Sequence, residues 1–91
     1  MKVKLLSNTQ TQGGTTATTV ADTDGIGATY VRISNVSAGV TEVQIRDTSG
    51  GAAVHKTYVA PYESLIIKKS PSQFVYGNSS SLYFAAVAPN P

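Results

Sequence analysis

A chain of 91 residues without cysteine corresponds to one domain that no disulfide stabilises. Its net charge of +2 is too small for the clustered basic face of a nucleic-acid-binding protein, and its single histidine argues against a structural zinc site. No apolar run approaches the roughly 20 residues of a membrane span. Charged residues are only 13% of the chain, which predicts a weakly charged surface that another protein can cover at low desolvation cost.

The first residues predict an arm that lies outside the main domain. Lys2 and Lys4 alternate with aliphatic residues, a pattern typical of a short strand or of an arm that pairs with another element. No apolar stretch of signal-peptide length follows the lysines, so we predict no signal peptide. We therefore assign an N-terminal arm or strand to residues 1–14 and a β-sandwich domain to residues 15–91.

A threonine-rich segment opens the predicted domain. Residues 15–21 (TTATTVA) have high strand propensity but little apolar bulk, so they predict an edge strand. The segment DTDGIG that follows predicts a loop, because Asp and Gly tolerate left-handed backbone angles.

The stretch from 30 to 47 (YVRISNVSAGVTEVQIRD) is the most regular part of the chain. Val31 and Ile33 alternate with polar residues before a predicted turn over 35–39, and Val43 and Ile45 alternate with polar residues after it. A period of two indicates half-buried strands. We expect these two strands to pair as an antiparallel hairpin.

Further strand runs follow at short intervals, separated by turn-forming residues. They are residues 52–59 (AAVHKTYV), 64–69 (SLIIKK), 73–76 (QFVY) and 82–88 (LYFAAVA). No segment with the apolar period of a helix reaches about ten residues. The pattern predicts an all-β fold: a single small antiparallel β-sandwich, jelly-roll or immunoglobulin-like, of about seven to eight short strands.

The residue types that carry catalysis or bind metal have ordinary explanations here. His55 lies in the middle of a predicted strand, and a lone histidine among many hydroxyls does not make a nucleophile–base pair. Asp22 begins a DTDG segment similar to the start of a calcium loop, but the twelfth position, where such a loop needs Glu, is Ile33. We therefore predict no enzyme, no cofactor, and no catalytic or metal-binding residue.

Exposed aromatic and basic side chains are the candidates for binding a partner. Tyrosine packs its ring while its hydroxyl stays in water, and lysines at strand ends can contact an acidic protein surface. The candidate partner-binding residues are Lys2, Lys4, Tyr62, Lys68, Lys69 and Tyr76.

Three stretches resemble small virion proteins of tailed bacteriophages, particularly those of marine cyanobacteria. They are YVRISNVSAG leading into VTEVQIRD with a TSGG turn, VAPYESLIIKKSPSQFVYG, and the closing SLYFAAVAP. The resemblance implies a β-sandwich that decorates or cements the phage head, or belongs to tail and neck parts, and performs no reaction. Where this family has glycine after the proline of its second stretch, this chain has Tyr62 after Pro61, which leaves the turn type open.

A domain of this size buries only about 60–65% of its unfolded surface, so we expect neighbouring chains to stabilise it. On this basis the chain is predicted to be a capsid decoration or cement protein on the outer surface of the phage head, made in the host cytoplasm. Its expected partners are the major capsid protein or copies of itself, with a trimer as one arrangement, and not nucleic acid, membrane or small molecules. The alternative is a tail, collar or fibre-associated protein that contacts host glycans.

Overall fold

The computed structural model describes residues 3–5, 11–12, 17–21, 25–79 and 81–89, and every regular element among them is a strand. In chain order the strands are β1 (Val3–Leu5), β2 (Thr11–Gln12), β3 (Tyr30–Asn35), β4 (Thr41–Arg46), β5 (Ala53–Val59), β6 (Ser64–Lys68), β7 (Phe74–Gly77) and β8 (Leu82–Pro89).

Six of these strands form two antiparallel three-stranded sheets that pack together. One sheet has the order β8-β3-β6, and the other has the order β5-β4-β7. The short strands β1 and β2 both pair with β8 and extend the first sheet to five strands. The predicted all-β sandwich is therefore confirmed: six strands form its two packed three-stranded sheets, and the two short strands β1 and β2 are added at the edge of one of them.

The inward faces of both sheets supply one apolar core. In β3 and β4 every second residue is buried, as the period of two predicts. Branched aliphatic residues, mostly valines, dominate this core, and full burial of one such side chain contributes about 1.5–3 kcal/mol. The buried core residues are Val20, Ala28, Val31, Ile33, Val43, Ile45, Val59, Val75, Leu82, Phe84 and Ala86, with Leu65 and Ile67 packed against them.

The prediction that β3 and β4 pair as a hairpin is wrong. β3 pairs with β6 and β8, whereas β4 pairs with β5 and β7, so the chain crosses from one sheet to the other through residues 36–40. Val31 and Ile33 therefore face Val43 and Ile45 across the core instead of lying beside them. Alternation shows which residues turn inward, but it is the same for two strands that pair edge to edge and for two that pack face to face.

The segment predicted as an edge strand over 15–21 is not a strand in its described part, residues 17–21. It makes isolated bridges, Thr18 with Val75 of β7 and Ala21 with Gly27. We call residues 17–21 the strap. Val20 is 2% exposed and has a φ of 55°, so burial of this side chain holds a β-branched residue in a conformation that it rarely adopts.

Candidate functional site

A buried asparagine organises one end of the sandwich. The Asn35 Nδ2 group donates hydrogen bonds to the carbonyl oxygens of Gly39 (2.8 Å), Val59 (3.1 Å) and Ala60 (3.2 Å). Its Oδ1 accepts from the backbone N–H and the hydroxyl of Ser37. Asn35 is 1% exposed, so these bonds form away from water and hold loop 36–40 against loop 60–63.

Loop 60–63 contains a turn in which tyrosine takes the place of glycine. The Glu63 N–H donates to the Ala60 carbonyl at 3.1 Å, which closes a four-residue turn with Pro61 at its second position. Tyr62, at the third position, has a φ of 58°. A positive φ at this position defines a type II turn, where glycine or asparagine is usual, so the turn type left open by the sequence is type II with a strained residue.

Three apolar side chains project into solvent from these two loops. Val36 is 53% exposed, Val40 63% and Tyr62 72%. We call these three residues the end-loop surface. Each costs little when it is exposed singly. The Asn35 hydrogen bonds to Gly39 and Ala60 hold together the two loops that carry these three side chains.

Lys69 does not lie on the surface, so its burial gives no support to its prediction as a partner contact. The side chain is 5% exposed, and its Nζ donates to the carbonyl oxygens of Ala28 (2.7 Å) and Ser70 (3.2 Å). Desolvation lowers the pKa of Lys69 from 10.5 to about 8. Lys69 instead joins the end of β6 to the residues that precede β3.

The other candidate partner residues lie in separate places. Lys68 is exposed at the end of β6, with its Nζ 6.0 Å from the centroid of the Tyr30 ring. Tyr76 is half-buried on the outer face of the three-stranded sheet, where the Arg46 guanidinium lies 3.8 Å from the centroid of its ring. Lys4 lies in β1, and Lys2 is outside the described residues.

Polar side chains cover the outer face of β4. Gln44 Nε2 donates to Glu42 Oε1 at 2.7 Å, and Arg46 Nε donates to Gln44 Oε1 at 3.0 Å. The hydrogen bond from Gln44, together with the charge of Lys56 and the hydroxyl of Tyr58, lowers the pKa of Glu42. This face is therefore a solvated network of mutually satisfied groups.

Two uncovered strand edges lie on one side of the sandwich. Within the described residues β5 pairs only with β4, and β6 pairs only with β3. A cavity of about 160 Å³ opens beside them. Its lining residues are Val43, Ile45, His55, Lys56, Thr57, Ile67 and Lys68.

The residues considered for catalysis or metal binding do not come together among the residues that the structure describes. His55 is exposed on β5, and no group of three histidine, cysteine or acidic residues comes together in the part of the chain that the structure describes. Asp22 and Asp24 are outside that part. No described helix has the length and apolar character to cross a membrane.

Sequence reasoning did not identify the buried asparagine, the exposed valines or the cavity. Asn35 was predicted only as a turn residue, and Val36 and Val40 gave no signal because isolated valines beside a turn are common. The cavity could not be predicted, since it depends on which strands form the edges. Comparisons with protein-family models, with curated proteins and with solved structures found no match.

Proposed function

We propose that the protein is a non-enzymatic structural subunit of a tailed-phage virion that binds the outer surface of the head as a decoration or cement protein. The observation that carries this proposal is the end-loop surface. Val36, Val40 and Tyr62 are more than half exposed on loops whose backbone is fixed by a buried side chain.

A pre-formed apolar surface favours docking because little conformational entropy is lost when it is covered. Tyr62 is suited to such contact, since tyrosine offers a large rigid area and is frequent among the residues that dominate binding energy. On a shell with many identical sites, a weak contact of this kind is sufficient when subunits also touch one another.

Co-sedimentation tests the proposal directly. The chain is mixed with assembled shells of the major capsid protein encoded in the same genome and centrifuged through a sucrose gradient. We expect the wild-type chain to travel with the shells and the Tyr62→Gly variant to stay at the top. Glycine removes the ring from a turn position that glycine prefers, so loss of binding would not reflect unfolding.

Tyr58→Ala is the matched control. Tyr58 is 63% exposed but lies on β5 rather than on the end loops, so its removal should leave co-sedimentation unchanged. Failure of the wild-type chain to bind shells, or equal loss in both variants, would contradict the proposal.

A tail, collar or fibre-associated subunit that contacts host glycans is the second candidate, and Tyr62 is also the observation that favours it. An aromatic ring that is 72% exposed can stack on the apolar face of a sugar. Images of intact virions separate the two candidates: density over the head favours decoration, and density confined to the tail favours the alternative.

A further inference from the structure

We propose that the uncovered edge of β6 binds an extended acidic segment of a partner protein by strand addition, with an aliphatic side chain of that segment in the cavity beside β6. This site is on a different strand edge from the end-loop surface, and the inference does not depend on the proposed virion function.

The strand edges on the two sides of the sandwich differ in whether the chain covers them. At the opposite edges the chain covers itself, with β1 and β2 on β8 and Thr18 of the strap on β7. Within residues 3–5, 11–12, 17–21, 25–79 and 81–89 no strand pairs with the outer edges of β5 and β6, whose backbone groups can therefore pair with an added strand.

The register of β6 makes it the better of the two edges. β5 has a bulge where its pairing shifts between Ile45 and Arg46, and a bulge interrupts the regular spacing that an added strand needs. β6 pairs with β3 without interruption from Tyr30–Lys68 to Ser34–Ser64. An added strand therefore finds five residues in regular conformation on β6.

The cavity supplies a place for one side chain. Val43, Ile45 and Ile67 contribute apolar walls, and its volume is about 160 Å³. A cavity of about 150 Å³ lined by aliphatic residues takes up benzene, so this one accommodates a valine, leucine or isoleucine side chain. In a strand paired with β6, the residue opposite Ile67 points inward and reaches this cavity.

The charge of Lys68 then favours an acidic residue next to the aliphatic one in the added strand. Lys68 is paired in register with Tyr30 on the outer face of the sheet, so the residue opposite Lys68 in an added strand lies on that same face. Among the described residues the Lys68 ammonium lies 6.0 Å from the centroid of the Tyr30 ring and forms no ion pair with a carboxylate, whereas Lys56, on the other side of the cavity, attracts the Glu42 carboxylate. The site therefore favours an aliphatic residue followed or preceded by an acidic one.

A second copy of this chain fits the site poorly. Its N-terminal arm carries Lys2 and Lys4, which would meet Lys68 with like charge. Its aliphatic–acidic pair Glu42–Val43 is already paired within β4. The occupant is therefore a different protein with alternating aliphatic and acidic residues.

The test uses the full chain and synthetic heptapeptides of alternating glutamate and valine, capped at both ends. Amide chemical shifts are followed by NMR as peptide is added. We expect saturable shifts centred on residues 64–68, and about ten-fold weaker binding of the peptide in which lysine replaces glutamate. Methylation of the peptide's backbone nitrogens should abolish the shifts, because strand addition needs those donors.

Two charge variants complete the design. Lys68→Glu should lose the preference for the acidic peptide and bind the lysine peptide at least as well. Lys4→Glu makes the same change in net charge on β1, at the far edge of that sheet, and should bind as the wild type does. The inference would be overturned by the absence of shifts with the acidic peptide, by equal shifts with both peptides, or by shifts away from β6. Tyr62→Gly should leave peptide binding intact, which separates this site from the proposed contact with the shell.

Discussion

The two long sides of the sandwich differ in how their strand edges are covered. On one side the chain's own N-terminal segments pair with β8 and β7, and on the other β5 and β6 are uncovered within the described residues. The covered side contains fully buried residues such as Leu82 and Val75, whereas the side chains of β6 are half-buried or exposed. We therefore expect the larger share of the stability to come from the side where the chain covers itself.

Two leucines test this difference most strongly. Leu82 of β8 is 0% exposed, and Leu65 of β6 is only partly buried against the same core. We expect Leu82→Ala to lower the free energy of unfolding by about 3–5 kcal/mol and Leu65→Ala by about 1–2 kcal/mol, because the partly exposed site loses less transfer energy and leaves a smaller cavity. Urea denaturation measures both, and equal losses would show that the two sides are equally packed.

A glycine at the strap gives the next largest effect. A Cβ on Gly27 would clash with the Pro71 carbonyl oxygen and lie 3.2 Å from the Thr19 Cβ, so the backbone would have to move. We expect Gly27→Ala to destabilise the chain by about 3 kcal/mol through overpacking. The matched change Gly50→Ala has no atom within 4 Å of the new Cβ and should be nearly neutral. A neutral Gly27→Ala in thermal unfolding would mean that the strap is loosely held.

Lys69 joins the end of β6 to the covered part of the chain, and its effect depends on pH. Its pKa is about 8 in the folded chain and has the ordinary value of 10.5 in the unfolded chain. Between these two pH values the unfolded chain therefore binds more protons than the folded chain. The free energy of unfolding should therefore rise with pH through this window, and below pH 8 the cost of the buried charge is fully present. After allowance for residual solvent screening, we expect a rise of roughly 1–2 kcal/mol.

The rise is measured against Lys69→Met in urea titrations between pH 7.5 and about 9.5, so that the pH dependence contributed by all other groups cancels. Methionine keeps the apolar stem and removes the titrating group, so this variant should lack the Lys69 contribution. A parallel pH dependence in both proteins would show that the ammonium is solvated.

Prediction from sequence succeeded where one residue's surroundings decide the structure and failed where two distant segments must meet. The runs that became β5, β6, β7 and β8 were located within a residue or two, because alternation and turn residues are local signals. Pairing was not local: β3 and β4 were placed side by side although they lie in different sheets.

The candidate site shows the same limit. Tyr62 was singled out from the sequence, and the structure adds its exposure and its left-handed backbone. Lys68 and Lys69 are neighbours in sequence, but one is exposed and the other buried, because Lys69 lies on the same side of the strand as the core-facing Leu65 and Ile67 and its Nζ reaches the carbonyl of Ala28. A buried lysine satisfied by backbone carbonyls has no sequence pattern.

The smallest expected effect concerns the loop that joins the two uncovered strands. Tyr62 occupies a left-handed position at a cost of about 1 kcal/mol or more, so Tyr62→Gly should raise the free energy of unfolding by about 1 kcal/mol. Tyr58→Gly is the matched change in β5, and it should instead lower stability by a similar amount because glycine is unfavourable within a strand. If Tyr62→Gly were destabilising in urea titrations, the ring would contribute packing within the monomer, and its place on the end-loop surface could not be attributed to binding. A gain in stability together with loss of shell binding would mean that the uncovered side retains a strained aromatic residue for contact with a partner.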